Sequence, residues 1–456
     1  MYRKQDLQYL QDIFDRSTND IAVLYGSRYV GVSEVLTDLI RDKECLYYRA
    51  SAVSESAQKE LFAFELHEQT KSPVLPNDDY EKLIGSYIGD HSDHKKLIVF
   101  DNFQYLIKGN PTFVNFLSSL LFDKSRPGSV MYLLVSDDVK WVEQDMIKMI
   151  GKKSSEISGV IKMNEYSPTE FYHCFPGMPI AEMIGIYSVL GGKSICYNRI
   201  TEKTTMRQLL IDQIDELITR GVDVNFLLPR DIREPVVYNT ILLYLAMGYG
   251  KLNDLFEKTQ IERAKLSVYL KTLIENDIVE KVTSAKVGDP SNTLKAFYRI
   301  KDTSARFFYR FIFPHYSSLK IGGAQRFYRR YIEHDIFQFL EEVYPLFCRE
   351  QIKWLQAENR LNFKVASIEE YYDKNGAIDF VIVAAGGNVI ACKCRYASPH
   401  MSYKAYEDAR AAVRRNKIPC DNIWLFSASG FDQKLSMFGN VTPGVKLIDG
   451  TDQRLH

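Results

Sequence analysis

The sequence lacks most of the features that assign a chain to a class at a glance. Its 58 lysines and arginines are balanced by 58 aspartates and glutamates, so the formal net charge is zero. No global field therefore points to nucleic acid or membrane, and any such surface has to be local. Tryptophan is scarce at 3 residues, and the 7 cysteines are scattered. Only Cys392 and Cys394 stand close together, with no second pair at ligand spacing; free buried thiols are expected rather than a metal centre. No run of about 18 apolar residues occurs, and no basic segment leads into an apolar one near the start. The chain is expected to be cytoplasmic and without a membrane partner.

What is present is the composition of an ordinary globular protein, 46% hydrophobic and 25% charged over 456 residues, enough for roughly two to four domains. The most informative stretch lies early. An apolar run, Ile21–Tyr25, enters a loop with Gly26 and Gly31 five positions apart, and a helix-patterned segment leaves it. This is the layout of a phosphate-binding loop, G-x-x-x-x-G-K-[ST], with Ser33 at the hydroxyl position. Val32 stands where the lysine belongs. Such a loop cradles phosphate with backbone N–H groups and a helix N-terminus, while the lysine adds charge and the hydroxyl holds magnesium. The expected contacts to ATP or ADP are Gly26, Ser27, Arg28, Tyr29, Val30, Gly31, Val32 and Ser33, with Ser33 on the magnesium ion.

A helix over 2–16 precedes the loop, and a strand at Cys45–Arg49 follows its helix, which makes a βαβ unit the simplest reading. A helix from Glu55 to Thr70 comes next, broken at Pro73–Pro76. Asp90–His94 holds two histidines three apart, read as a solvated turn. The run Leu97–Phe100 ends in Asp101, the carboxylate that orders magnesium in such folds, and Asn102 follows where a water-orienting glutamate often stands. Another buried strand, Ser129–Ser136, ends in a hydroxyl placed to sense the terminal phosphate. Lys152 and Lys153 are the nearest downstream cations, read as solvent-exposed. Ser167-Pro168-Thr169-Glu170 opens a helical lid that runs to about Leu190 and ends at Gly191-Gly192.

Residues 235–300 change character. Three helical segments, Tyr238–Met247, Lys251–Lys258 and Glu262–Asn276, precede two short strands around a polar turn, which is the pattern of a winged helix-turn-helix. The third helix offers Arg263, Lys265 and Lys271 to phosphates, diluted by nearby acids. Ala305–Pro314 alternates paired aromatics with arginine at helical spacing, which suits core packing better than base stacking. In the last quarter a helix around Ile332–Ile352, strands at Phe363–Ala366, 376–383 and 388–395, the helix Tyr403–Arg415 and a strand Asn422–Ser427 follow the layout of a restriction-endonuclease-like fold. Active members place an Asp and a Glu-x-Lys around magnesium. Here Asp379 is met by Lys393-Cys394-Arg395, and the helix before the last strand carries Arg410, Arg414 and Arg415.

Taken in order, the stretches Leu24–Gly31, Phe100–Leu106, Tyr187–Gly192, Tyr298–Asp302 with Arg306–Phe311, and Ile378-Asp379 make the chain resemble the archaeal-type P-loop ATPases of the AAA and STAND kind, whose ATPase domain is followed by a winged helix and a nuclease-like domain of the PD-(D/E)XK type. The resemblance implies an α/β fold: a parallel P-loop sheet over residues 1–165, a helical lid over 166–233, a winged helix over 234–304 and a small nuclease-like α/β domain over 305–456. It implies phosphate contacts at Gly26 to Ser33, a magnesium-ordering Asp101, and an ancestral nuclease carboxylate at Asp379 with Glu341 as partner. The departures at Val32, Asn102 and Lys393-Cys394-Arg395 fall at chemical positions. Loss of one charge-assisted phosphate contact, about 1.5–3 kcal/mol, lowers affinity roughly ten- to a hundredfold. The expectation is a nucleotide-binding, or formerly nucleotide-binding, switch or scaffold with slow or absent hydrolysis. Duplex DNA, a protein partner and a second copy of the chain remain as possible partners; a DNA-binding regulator is the alternative function, and an active ATPase or a metal-dependent nuclease ranks behind it.

Overall fold

The structure is a computed structural model that describes residues 3–71, 78–88, 94–108, 113, 116, 119, 130–221, 223, 225, 227–228, 232–288, 296–372, 375–420 and 422–450. The region around Pro73–Pro76, residues 90–93 of the histidine segment and Ser129 lie outside the described residues, as do the side chains of Lys152 and Lys153. Two compact units emerge. The first comprises Met1–Glu165 with Lys193–Ile195 and Glu275–Asp277; the second holds the rest.

The first unit is built on five strands, β1 (Asp20–Gly26), β2 (Cys45–Arg49), β3 (Lys96–Asp101), β4 (Val130–Ser136) and β5 (Gly159–Met163). They form one sheet in the order β2-β3-β4-β1-β5, with every pair parallel. The central strands β1 and β4 are buried along their whole length, as expected of parallel strands covered on both faces. Period-2 alternation divides their side chains. Ala22, Leu24, Leu97, Val99, Met131 and Leu133 face the helices Lys4–Phe14 and Val32–Ile40 through Leu10, Ile13, Val35 and Leu39. Ile21, Val23, Ile98, Phe100, Tyr132 and Leu134 face the other way, onto Phe62 and Leu66 of the helix Glu55–Thr70 and onto Leu83 and Ile84 of Tyr80–Ile88. The register sets Tyr25 beside Ser136 and Asp101 beside Val135, so the loop after β1, the end of β4 and the end of β3 share one edge of the sheet. Ligands of open α/β sheets bind at this carboxyl edge.

The second unit opens with the helices Pro168–Cys174, Ile180–Leu190 and Met206–Arg220. Ser167 and Glu170 form the reciprocal capping box that their spacing predicts. Gly191 ends the second helix at φ 67, where a Cβ would lie 2.5 Å from Asp302 Oδ1, so only glycine fits. Three helices, Pro235–Ala246, Leu252–Thr259 and Arg263–Glu275, then precede the antiparallel pair β6 (Val279–Thr283) and β7 (Ala296–Ile300). The aromatic stretch is core, as its spacing predicts: Phe307, Phe308, Tyr309, Phe311 and Ile312 are all buried.

Five further strands, β8 (Val365–Glu370), β9 (Phe380–Ala384), β10 (Val389–Arg395), β11 (Asn422–Ser427) and β12 (Val445–Asp449), form a second sheet in sequence order. Its pairs are antiparallel from β8 to β10 and parallel from β10 to β12. Phe380, Ile382, Ile390, Cys392 and Phe426 share a core with Phe339, Leu340, Val343 and Phe347 of the helix Ile336–Ala357. The opposite face, with Val381, Ala391 and Leu425, packs on Tyr406, Ala409 and Ala412 of the helix Tyr403–Arg415. Asp379 stands just before β9 rather than inside a strand beginning at 376. The chain turns there through Gly376 at φ 64, and Asp379 already exchanges backbone bonds with Tyr371 and Cys392.

Candidate functional site

The loop from Gly26 to Ser33 leads straight from the centre of the parallel sheet into the helix Val32–Ile40. Both its glycines have steric grounds of their own. A Cβ on Gly26 would sit 2.5 Å from the carbonyl oxygen of Met163 and 2.9 Å from Val30 Cγ2; Gly31 has φ 100 and meets Ser194 Oγ at 3.1 Å. The glycine pair is therefore required by packing whether or not phosphate binds. The helix that follows has Gly31 at its N-cap and so no side-chain cap from that position, an arrangement that suits an anion. Tyr29, also at positive φ, is 47% exposed at the crest of the loop.

Behind the loop stands a residue that the sequence reading passed over. Arg3 is buried, and its Nη2 donates to Val30 O at 2.9 Å and also to Asn164 O. It ties the loop to the chain after β5. Arg28, within the loop, points toward β4: its Nε donates to Asp137 Oδ2 at 3.2 Å. Asp137 Oδ1 accepts from Gln104 Nε2 at 3.0 Å, and Ser136 Oγ donates to Gln104 Oε1 at 2.8 Å. The Ser136 hydroxyl is thus already engaged in a chain of polar contacts that runs back to the loop. Gln104 and Asp137 were missed because each looks like ordinary turn polarity after a strand. Lys193 and Ser194 also belong to this unit. Lys193 is buried, and the Ser194 hydroxyl donates to Glu34 at 2.8 Å. Two glycines immediately before them were the only signal.

Asp101 is committed as well. Its Oδ2 accepts from the Tyr47 hydroxyl at 2.7 Å and lies 3.4 Å from Arg49 Nε, while Oδ1 accepts from the Asn102 backbone at 2.9 Å. Burial, and then the hydrogen bond to Asp101 and its charge, push the Tyr47 phenol well above its ordinary range, so it stays a donor. Asn102 is buried at φ 55, a left-handed conformation that asparagine adopts far more readily than glutamate. Val32 is half-buried against the sheet core. Tested against a phosphate chain, the backbone of the loop, with Gly31 at its helix start and no side-chain cap, fits such a group, while Val32 brings it no charge and Asn102 no carboxylate.

The second cluster lies on the C-terminal sheet. Asp379 accepts from Lys393 Nζ at 3.2 Å and from the Cys394 backbone at 2.6 Å, and Lys393 also donates to Gly376 O at 2.7 Å. Burial pushes the Asp379 carboxyl up, against the pull of the Lys393 charge. Glu341 Oε2 accepts from the backbones of Tyr396 and Ala397, each at 2.8 Å. The lysine ammonium thus occupies one side of the Asp379 carboxylate. Among the described residues no group of three His, Cys, Asp or Glu side chains is placed to hold a metal ion. Arg263, Lys265 and Lys271 are exposed on their helix, and so are Arg410, Arg414 and Arg415 on theirs. Among the described residues no helix is long and apolar enough to cross a membrane.

The first sheet and its loop define an α/β protein of the P-loop type, with a small α/β domain at the C-terminal end. Residues 308–409 match the family DUF234, described as "Archaea bacterial proteins of unknown function". An uncharacterized protein of Methanocaldococcus jannaschii is 25% identical over 386 residues, 83% of each chain. Among solved structures, the Walker-type ATPase of Pyrococcus abyssi aligns with 68% of this chain and 96% of its own, at 15% identity and a TM-score of 0.44. The ORC2 protein of Aeropyrum pernix, solved with ADPNP and ADP, aligns with 66% of this chain and 89% of its own, at 13% identity and a TM-score of 0.42.

Proposed function

We propose that residues 1–165 form a nucleotide-binding domain whose loop, Gly26 to Ser33, holds the phosphates of ATP or ADP without turning them over at an appreciable rate. The observation that carries this reading is the loop itself: an uncapped helix start at the carboxyl edge of a parallel sheet, beside an Asp101 held by Tyr47 and Arg49 and an Asn102 with no basic function. Magnesium, where bound, would meet Ser33 and Asp101 and would neutralise phosphate charge that Val32 cannot. Arg28 and Arg3 keep the loop in shape, and Ser136 positions Gln104 and Asp137 next to it. On this reading residues 166–233 are a lid, 234–304 a winged helix and 305–456 a nuclease-like domain in which Lys393 has replaced metal chemistry with an ion pair. The protein then works as a nucleotide-responsive switch or scaffold.

Thermal unfolding in the presence of ADP or ATP with magnesium tests this, because a ligand that binds only the folded state raises Tm as its concentration passes Kd. A rise that Val32→Asp abolishes is the expected result; no rise at millimolar nucleotide would remove the reading. A second reading, duplex DNA held by the helix Arg263–Glu275, is favoured by the exposure of Arg263, Lys265 and Lys271 together with Val268, which is 63% exposed. Gel retardation of a duplex by the wild type, lost in the triple alanine variant at those three basic positions, is its test.

A further inference from the structure

The helix Gly323–Tyr331 lies outside both readings. Its buried side, Ala324, Phe327 and Tyr328, anchors it to the second unit. The other side presents Gln325, Arg326, Arg329 and Arg330 to solvent, with exposed Lys320 just ahead of the helix. Gly322, Gln325 and the three arginines line one open depression. Gly322 makes room for it: a Cβ there would lie 2.5 Å from Arg326 Cδ.

Three observations separate this face from an ordinary solvated one. Among the described residues none of Lys320, Arg326, Arg329 and Arg330 takes part in an ion pair, while basic residues elsewhere on the unit do: Arg310 with Glu342, Lys353 with Glu350, Arg349 with Glu370. The nearest acid in sequence, Glu333, lies 3.8 Å from Arg207 instead. The helix itself contains no acidic residue, whereas Tyr403–Arg415 carries Glu407 and Asp408 beside its arginines. Finally, helix stability accounts for only part of the charge. Arg329 and Arg330 sit in the last turn, where cations favour the helix dipole, but Arg326 and Lys320 lie toward the end where the dipole opposes them. In a chain of zero net charge, three arginines outside any ion pair among the described residues stand on one face, with Lys320 exposed just ahead of it, and make a local field.

We propose that this face binds the phosphodiester backbone of duplex nucleic acid. Arg326, Arg329 and Arg330 stand at i, i+3 and i+4, with Cβ atoms about 5–6 Å apart, on the scale of successive phosphates. Guanidinium groups donate to phosphate through a planar fork, which suits backbone contact better than point charges do. The exposed side chains of the helix are polar, and Ile321 just ahead of it, 65% exposed, is too little apolar surface to anchor a bilayer. The contact reads charge and spacing, so it is independent of base sequence.

Fluorescence anisotropy of the full chain with a labelled duplex of arbitrary sequence, titrated between about 50 and 200 mM salt, tests the assignment. Replacing Arg326, Arg329 and Arg330 together with alanine is expected to weaken binding at least about tenfold at low salt and to reduce the log–log salt slope by roughly 2–3, the contribution of three phosphate contacts. The same three changed to lysine should keep most of the slope. The alanine triple at Arg263, Lys265 and Lys271 separates this site from the other reading, since its loss of binding with this face intact speaks for that helix instead. An unchanged slope in the Arg326/Arg329/Arg330 alanine variant, with an unaltered circular dichroism spectrum, overturns the proposal. So does arginine-dependent binding to anionic vesicles with none to duplex.

Discussion

On the proposed function Val32 is the side chain to test first, because a methyl-tipped residue then stands where phosphate would expect an ammonium. Restoring the lysine is sterically mild: Val32 is half-buried, and a lysine stem can lie along the same surface with its charge in the loop. Val32→Lys should therefore tighten ATP binding roughly ten- to a hundredfold, read by titration calorimetry, with a stability change small enough to leave the unfolding curve nearly in place. Hydrolysis should not follow, because Asn102 still cannot take a proton. Asp101 offers a second test at this scale. Tyr47→Phe removes the 2.7 Å donor that holds Oδ2, and the magnesium-dependent part of ATP affinity should rise by about tenfold at most; measurement with and without chelator decides it. No gain would mean that Tyr47 does not compete with the ion.

At the scale of elements, the strands and helices were legible wherever period and punctuation agreed. Cys45–Arg49, Glu55–Thr70, Tyr403–Arg415 and Asn422–Ser427 have the bounds that the pattern predicts. The capping box at Ser167 and Glu170 was readable from its spacing alone, and its loss is correspondingly local: Ser167→Ala should cost about 0.5–2 kcal/mol in chemical unfolding. Strand β5 was not legible. It is a five-residue edge strand with Val160 52% exposed, too short and too mixed to show a period. The helix Gly323–Tyr331 drew no reading from the sequence, since two glycines stand at its start and arginines fill it; the burial of Phe327 and Tyr328 is what marks it. Site residues follow the same division. Gly26, Gly31 and Asp101 announce themselves by spacing, but Arg3 and Gln104 act through contacts across 27 and 32 positions of chain, which no local pattern records.

Across the second unit, a charged cluster ties the β6–β7 hairpin to the C-terminal sheet. Arg299 donates to Glu280 at 2.7 Å and to Glu370 at 2.7 Å and 3.0 Å, and Arg349 reaches Glu370 at 3.0 Å. Burial alone would raise the Glu370 carboxyl, but the charges of Arg299 and Arg349 outweigh it and hold it below its ordinary value. The group is more acidic folded than unfolded, so its stabilisation is present above the unfolded carboxylate range and is lost as pH falls through the folded value. Glu370→Gln should lower stability at neutral pH by about 3–5 kcal/mol and flatten the acid limb of the stability curve. Equal acid sensitivity in wild type and variant would place the loss elsewhere.

For the whole molecule, the proposed function rests on three positions, Val32, Asn102 and Lys393, whose side chains differ from those of the catalytic motifs that the chain resembles. That conjunction is what makes binding without turnover the central claim. Calorimetric titration of the wild type and Val32→Lys with ATP and magnesium, paired with phosphate release on the same samples, tests it most directly. Weak wild-type binding, a roughly ten- to hundredfold gain in the variant and no appreciable phosphate release are the results predicted; tight wild-type binding with rapid hydrolysis would contradict it.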